Sequence, residues 1–185
     1  MRPTEELKHE HQAILRMIAI LRNVSARLEN ESSAVDPADL VEIVDFIRVF
    51  ADQCHHGKEE DLLFPAMEEA GIPREGGPIG VMLAEHTLGR EYVKGMAEAV
   101  AGFQQGDQQA ARNFAEKATN YGNLLSQHIH KEDNILYMIA DAHLGAEQDR
   151  ELLEAFERVE REVIGAGRHE AFHDLLDRLE RTYPH

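Results

Sequence analysis

Six residues of types that bind metal ions occupy matching positions in two halves of the sequence. Each half contributes one isolated histidine, and one histidine that is followed four residues later by a glutamate. The six residues are His11, His55, Glu59, His86, His128 and Glu132. Imidazole nitrogens suit iron, zinc, copper and nickel, and a carboxylate group can bridge two metal ions. The set therefore predicts a two-metal site, with a di-iron centre as the first interpretation and manganese or zinc as alternatives.

An internal repeat links these residues to one another. Residues 55–64 (HHGKEEDLLF) align with residues 128–137 (HIHKEDNILY), and the two segments share histidine, lysine, glutamate and leucine positions. The dipeptide Glu10-His11 likewise recurs as Glu85-His86, at nearly the same offset along the chain. The repeat indicates that the first two helices of the chain are echoed by the next two.

The spacing of four residues places a histidine and a glutamate on one side of a helix, one turn apart. His56 and Glu60 have the same spacing as His55 and Glu59, but only the latter pair has a counterpart in the second half. The repeat therefore favours His55 and Glu59 as ligands. His56 and His130 fall off the apolar stripe, and we expect them outside the ligand set or at the surface.

Each part of the pattern has a simpler interpretation when it is taken alone. An isolated histidine on an apolar stripe is usually a hydrogen-bonded core residue, and a single His-x-x-x-Glu pair usually lies on a helix surface. Six such residues on four stripes, in two matching halves, favour a common site. Two glutamates buried there without a cation would cost on the order of several kcal/mol per charge, and two metal ions would offset that cost.

Apolar residues at steps of three and four predict four long helices and two shorter ones. They run from about Glu5 to Leu28, Asp36-Pro37 to Ala66, Pro78 to Gln105-Gly106, Asp107 to Ile139, Glu147 to Ile164 and Arg168 to Arg181. Short connections between long helices imply antiparallel neighbours. The predicted fold is all-α, an antiparallel up-down four-helix bundle with one or two extra C-terminal helices. We expect residues 1–145 to form the metal-binding bundle and residues 146–185 a helical extension packed on it, with a hinge at Gly165-Ala166-Gly167.

The inward stripes can be extended beyond the predicted ligands. On the second helix the stripe continues to Leu62 and Ala66, and on the fourth to Ile135 and Ile139. Cys54 precedes the second-helix histidine on the inward side, so we expect it to behave as a small buried hydrophobic residue and not as a nucleophile.

Composition restricts the class of partner. The chain has 19 Lys and Arg residues against 35 Asp and Glu residues, a formal net charge of −16. Such a surface repels phosphate backbones, and the sequence shows no basic stripe, so no nucleic acid partner is expected. No apolar run is long enough for a membrane span. The segment from Met1 to Leu15 lacks the apolar stretch of a secretory signal, and Cys54 is the single cysteine, so a cytoplasmic location is expected.

The C-terminal segment contains a second metal-binding pattern. His169-Glu170-Ala171-Phe172-His173 matches the His-Glu-x-x-His arrangement of zinc proteases. That chemistry needs a third protein ligand and an edge strand for substrate. Only Glu180 is a plausible carboxylate downstream, and no strand is predicted. We interpret the segment as an amphipathic helix that packs on the bundle.

The four motifs together resemble the hemerythrin-like (HHE cation-binding) family. They are Glu10-His11, the stretch HHGKEEDLLFP, Glu85-His86 and the stretch HIHKEDNILY, within a resemblance that covers about Glu5 to His143. The resemblance implies an up-down four-helix bundle with a non-haem di-iron centre that binds dioxygen or nitric oxide. Roles in that family include oxygen carriage, sensing, iron homeostasis and the repair of damaged iron–sulfur clusters.

The sequence departs from oxygen-carrying hemerythrins at one ligand position. Those proteins have a second histidine one turn after the first on the third helix, where this chain has Arg90, which cannot bind a metal ion. They also use an aspartate five residues after the fourth-helix histidine, and Asp133 stands there. Asp133 projects about 140° from His128 on a regular helix, so Glu132 is preferred unless the helix bulges. We expect Arg90 to pair with a carboxylate such as Glu59, Glu132 or Asp133.

The set of four histidines and two glutamates is similar to the branch that includes cluster-repair proteins. If two six-coordinate metals share these ligands and one oxo or hydroxo bridge, each metal keeps one open position, which favours redox chemistry or nitric oxide binding over reversible oxygenation. The predicted function is a non-haem di-iron protein that binds or senses dioxygen or nitric oxide. The alternative is a redox or iron-donating enzyme, for nitric oxide or peroxide reduction or cluster repair, which would need an external reductant.

Overall fold

The computed structural model describes residues 1–165 and 167–185, and all regular secondary structure in these residues is helical. Besides one 3-10 turn (Ser32–Ala34), these residues form six helices: α1 (Pro3–Asn30), α2 (residues 37–69), α3 (Pro78–Gln104), α4 (residues 108–143), α5 (residues 146–164) and α6 (Arg168–Thr182). Helices α1 to α4 form the predicted antiparallel bundle, and α5 and α6 are the extra C-terminal helices. None of the helices in the described residues is both long enough and apolar enough to cross a membrane.

Side-chain caps define where two of the bundle helices begin. The Asp36 carboxylate accepts a hydrogen bond of 2.9 Å from the backbone N–H of Ala38, and Pro37 occupies the first helical position. The Asp107 carboxylate accepts a bond of 2.8 Å from the N–H of Gln109. These caps satisfy backbone donors that the first helical turn leaves free, so α2 and α4 begin where the sequence predicted.

Three segments of π-helix interrupt the α-helical pattern next to the predicted ligands. They are Ile47–His56 and Glu59–Leu63 in α2, and Glu132–Leu136 in α4. A π-helical turn is wider than an α-helical turn, so each following side chain points in a different direction from the one that α-helical spacing predicts. Helix α4 therefore contains the kind of bulge that could change which of Glu132 and Asp133 points inward. Helix α2 contains equivalent bulges.

The wider turns move the inward stripe of both helices by one residue. On α2 the buried residues are Leu63 and Met67, in place of the expected Leu62 and Ala66, which are only partly buried. On α4 the buried residues are Leu136 and Ala140, whereas the expected Ile135 is 52% exposed. The same correction in both helices shows that the repeat extends to backbone geometry.

Two apolar clusters lie on either side of the polar centre of the bundle. On α1, Leu7 belongs to one cluster and Ile14 to the other, and His11 lies between them. On α3, Met82 and Val93 likewise lie in different clusters on either side of His86. The metal-binding residue types are therefore confined to one polar layer inside an otherwise apolar core.

Helix α6 packs on α1 and α2 through an apolar face and ionic contacts. The buried face consists of Phe172, Leu175, Leu176 and Leu179. Arg16 of α1 donates hydrogen bonds to Glu180 and Asp177, and the hydroxyl of Tyr183 donates a bond of 2.6 Å to Asp39 of α2. The boundary at residue 145 stays a prediction. At the expected hinge, Gly165 and Gly167 have positive φ angles of 77° and 83°, and Ala166 lies outside the described residues.

Candidate metal centre

Helices α1 to α4 bring the six predicted residues together in the polar layer. Each of the six side chains is at most 2% exposed: His11, His55, Glu59, His86, His128 and Glu132. Helices α1 and α3 contribute one histidine each, and α2 and α4 contribute one histidine and one glutamate each. The juxtaposition that the repeat predicted is therefore present.

The potential ligands in the polar layer form two groups, in each of which the ligating atoms lie within 4.8 Å of one another. One group contains His11, His55 and Glu132, and the other contains His56, Glu59, His86 and His128. The division into two groups has the form of a two-metal site, with one glutamate assigned to each. His56 was not among the predicted ligands, because the sequence placed it off the apolar stripe. In the structure it is buried, with only 4% of the residue exposed.

Both glutamates lie between the two groups. The Oε1 atom of Glu132 is 2.8 Å from Nε2 of His128, and its Oε2 atom is 3.2 Å from Nε2 of His11. The Oε2 atom of Glu59 is 3.4 Å from Nε2 of His86 and 3.9 Å from Nε2 of His55. Each carboxylate can therefore reach a metal ion in either group, as a bridging ligand must.

The outer nitrogen of every predicted histidine ligand is hydrogen-bonded to a carboxylate. The Nδ1 pairs are His55 with Glu10 (2.7 Å), His128 with Glu85 (2.8 Å), His86 with Glu60 (2.7 Å) and His11 with Asp133 (2.8 Å). A carboxylate only accepts hydrogen bonds, so Nδ1 carries a proton and Nε2 is the nitrogen that is left to bind a metal ion. This arrangement is the one that orients imidazoles for metal binding.

Three carboxylate oxygen atoms in the centre have no hydrogen-bond donor among the described residues: Oε2 of Glu59 and both oxygen atoms of Glu132. Oε1 of Glu132 approaches Nε2 of His128 to 2.8 Å without hydrogen-bond geometry. Unpaired buried carboxylate oxygens are costly and need an explanation. The donor set, with its orphaned oxygens, fits two metal cations.

The pKa values of the centre show how strongly it attracts positive charge. Burial lowers the pKa of His11, but the hydrogen bond to Asp133 and the negative charges of Glu132 and Glu59 outweigh it and raise that pKa to about 9. Burial opposes the charge of His128 in the same way, yet Glu132 raises its pKa to about 10. In His56, by contrast, burial and the neighbouring His86 lower the pKa well below its usual value. Without metal, protons on His11 and His128 balance the buried glutamates.

A tyrosine completes one side of the centre and was not predicted. The hydroxyl of Tyr137 donates a hydrogen bond of 2.6 Å to Oε1 of Glu59 and lies 3.5 Å from Nε2 of His11. Its ring stacks on the His11 ring, with centroids 5.6 Å apart. The repeat offered a signal, because it aligns Tyr137 with Phe64, so the two halves differ here by one hydroxyl group.

A buried lysine was also missed by sequence reasoning, which identified no basic partner for the buried carboxylates. The ammonium group of Lys58 donates to Glu10 (2.6 Å), Glu6 (2.9 Å) and Glu160 (2.9 Å). Lys131 contacts Glu85 in the same way in the second half. The lysine shared by both copies of the repeat was the available signal. Each lysine holds the carboxylate that orients a histidine.

The expected partners of Arg90 are corrected, whereas the preference for Glu132 over Asp133 is not. Arg90 does not pair with Glu59, Glu132 or Asp133. It contacts Asp52 at 2.8 Å and Glu60 at 2.9 Å, because it lies at the outer side of the centre. Asp133 points outward to Nδ1 of His11, so Glu132 is the inward carboxylate of α4.

The remaining candidates lie outside the centre. His130 is exposed, as expected. His169 and His173 stack on each other with centroids 4.8 Å apart, but they join none of the groups of three potential ligands found among residues 1–165 and 167–185. Cys54 is 1% exposed, and burial raises the pKa of its thiol to about 12. A thiol in that state is a poor nucleophile.

Comparison with known proteins places this geometry in a family. A family model described as the hemerythrin HHE cation binding domain matches residues 2–140. Uncharacterized proteins of Mycobacterium tuberculosis and Mycobacterium bovis are similar to this chain, each with 26% identity over 178 residues. The similarity covers 96% of this chain and 69% of each of those proteins. Since the family match spans most of the chain and includes all six predicted ligands, the chain belongs to the hemerythrin HHE cation-binding domain family.

Proposed function

We propose that the protein is a non-haem di-iron protein that binds or senses dioxygen or nitric oxide through His11, His55, Glu59, His86, His128 and Glu132. The observation that carries the proposal is the convergence of Nε2 lone pairs and orphaned glutamate oxygens into two adjacent groups. Bound iron would supply the open coordination positions and the redox activity that small diatomic ligands require. The single buried cysteine is compatible with a cytoplasmic location, which is part of the proposal.

The chain's own residues prepare the site before any ligand arrives. The carboxylates bonded to Nδ1 fix each imidazole ring in the orientation that presents Nε2 inward, and such outer partners commonly change metal affinity by about 10–100-fold. The apolar clusters on both sides limit the access of water to the polar layer. A small uncharged ligand can enter such a layer at lower cost than an ion can.

The hydroxyl of Tyr137 favours a second candidate function. A buried phenol that is 2.6 Å from a glutamate of the site can move a proton to or from that carboxylate. The second candidate is therefore a redox or iron-donating enzyme, for nitric oxide or peroxide reduction or for iron–sulfur cluster repair. It would depend on an external reductant.

The test begins with anaerobically reduced, iron-loaded protein mixed with dioxygen or nitric oxide in a stopped-flow spectrometer. A binding or sensing protein should give an optical change that saturates with ligand and consumes no further ligand when reductant is added. Continued consumption would favour the enzyme instead. Tyr137→Phe should slow that consumption if the phenol moves protons, and Tyr92→Phe, a change outside the centre, is the control. Iron-loaded protein that responds to neither gas would contradict both candidates.

A further inference from the structure

We infer that His56 is a further metal ligand, so that the metal ion beside His86 and His128 has three imidazoles and the one beside His11 and His55 has two. The inference rests on the proposed two-metal site and deepens it. It closes one of the two positions that a set of four histidines leaves open. The exogenous ligand would then bind only at the metal held by His11 and His55.

His56 lies where a ligand of the second group must lie. One of its ring nitrogens is within 4.8 Å of the ligating atoms of Glu59, His86 and His128. Its ring stacks on that of His86, with centroids 3.9 Å apart, and meets that of His128 edge-on at 5.8 Å. The side chain is buried, so it is already desolvated for metal binding.

The hydrogen bonding of His56 follows that of the other four histidines in the centre. Its Nδ1 atom is 3.3 Å from Oδ1 of Asp52, which leaves Nε2 with a free lone pair. Exposed His130 differs, because its Nδ1 atom contacts the amide of Asn134. Five histidines of the centre thus share a carboxylate on Nδ1.

The π-helical segment Ile47–His56 explains how two consecutive histidines can face one site. A π-helical turn contains more residues than an α-helical turn, so successive side chains are separated by a smaller angle, and both His55 and His56 are buried. The repeat pairs His56 with Ile129, which is an apolar residue. The second half therefore offers no equivalent imidazole, and only one of the two metal ions can gain a ligand in this way.

Arg90 becomes a positioning residue for His56. Its guanidinium donates hydrogen bonds of 2.9 and 3.1 Å from Nε to the two carboxylate oxygens of Asp52. Asp52 is the residue that holds Nδ1 of His56. Arg90 thus acts through Asp52 to hold an additional imidazole, instead of leaving a position free.

The surroundings of the two groups differ in the way that the inference requires. A cavity of about 130 Å³ reaches the outer faces of His56 and His86 and is also lined by Gly89 and Tyr121. If His56 binds metal, this cavity ends at two coordinated imidazoles. In the other group, the hydroxyl of Tyr137 lies 3.5 Å from Nε2 of His11. An incoming ligand would meet this polar group there, and the hydroxyl would have to release Glu59 to donate a hydrogen bond to the ligand.

The experiment counts imidazoles directly in the reduced, iron-loaded protein. Paramagnetic proton NMR shifts the Nδ1–H resonance of every iron-bound histidine, and these exchangeable signals disappear in deuterated water. We expect five such signals in the wild type and four in His56→Gln. His130→Gln, which changes an exposed histidine, should keep all five. Arg90→Gln should shift or broaden the His56 signal and leave the other four in place.

Nitric oxide uptake gives an independent readout. The wild type should bind one nitric oxide per iron pair, and His56→Gln should bind two. Four shifted signals and two nitric oxide molecules in the wild type would overturn the inference, since His56 would then be only the wall of a cavity that admits ligand to the His86 side. That result would leave the di-iron proposal intact. A wild-type chain that binds no iron would overturn both proposals.

Discussion

The two halves of the centre contain the same hydrogen-bonded chain in different surroundings. In the first half Lys58 binds Glu10, which orients His55, and in the second Lys131 binds Glu85, which orients His128. The side chain of Lys58 is fully buried and also contacts Glu160 of α5, whereas that of Lys131 is 35% exposed. The repeat determines which residues are paired. The contact with helix α5 isolates the pair of Lys58 and Glu10 more strongly from water than the pair of Lys131 and Glu85.

The largest expected effect comes from removing each lysine in turn. Lys58→Met would leave buried Glu10 without its cation, and breaking a buried ion pair in this way costs about 3–5 kcal/mol. Lys131→Met should cost less than about 1 kcal/mol, because the side chains of Lys131 and Glu85 are 35% and 20% exposed and water can reach Glu85. The free energy of unfolding of the metal-free protein, from urea denaturation, measures both. Equal losses of unfolding free energy in the two variants would show that the contact with α5 does not distinguish the two halves.

A pH series should show that the stability of the metal-free protein depends on protonation of one histidine in each half. The folded-state pKa values of about 9 for His11 and about 10 for His128 lie above the ordinary value. Protonation of these residues therefore stabilises the metal-free protein fully below about pH 6.5, and that stability is lost as the pH rises through 9 to 10.

Thermal unfolding of metal-free and metal-loaded protein between pH 6 and pH 10 provides the comparison. The metal-loaded form should show little decline over this range, because cations and not protons then balance the glutamates. A parallel decline in both forms would mean that metal and protons do not compete for the same nitrogens.

The outer carboxylates should affect metal affinity by an intermediate amount. Glu10→Gln and Glu85→Gln each weaken the acceptor for Nδ1 of a histidine, and changes of this kind cost about 10–100-fold in affinity. We expect Glu10→Gln to lie at the upper end, since it removes a partner of the fully buried Lys58, and Glu85→Gln at the lower end, since its partner Lys131 is 35% exposed. Competition with a chelator of known affinity gives both values, and Glu98→Gln, an exposed change on α3, is the control. The reverse order would contradict the comparison.

The smallest effect is expected at the two residues that directly precede His55 and His128. Cys54 is buried, and its repeat counterpart Gln127 is exposed. Cys54→Ser should lower the free energy of unfolding by about 1 kcal/mol through burial of a hydroxyl, with metal content unchanged. Gln127→Ser should change neither. Loss of ligand binding in Cys54→Ser with metal content and folding intact would assign the thiol a chemical role.

The sequence predicted the bundle and the six central residues because both depend on periodicity. Histidine and glutamate four residues apart share a helix face, and the repeat chose His55 over His56 as the counterpart of His128. The helix caps at Asp36 and Asp107 could also be predicted from the sequence, because capping depends on local residue type.

Other features depend on geometry that α-helical spacing does not contain. The π-helical turns moved Ile135 outward and Leu136 inward, and they turned His56 towards the core. Lys58 was missed because a lysine is expected at the surface, and its burial requires carboxylates from α1 and α5 that are distant in sequence. The lysine shared by both copies of the repeat could have indicated a role for Lys58. No local sequence pattern predicts its contact with Glu160.

The central proposal is that the two groups, which include the six predicted residues, bind two metal ions, predominantly iron. The most direct test is metal analysis of the wild type, Glu59→Ala and Glu132→Ala after purification from cells without added metal, with Asp61→Ala, an exposed change on α2, as the control. The account predicts two metal ions per chain in the wild type and in Asp61→Ala. Each glutamate variant should lose at least one, because each removes a carboxylate that lies between the groups. Two metal ions retained in both glutamate variants would contradict the account.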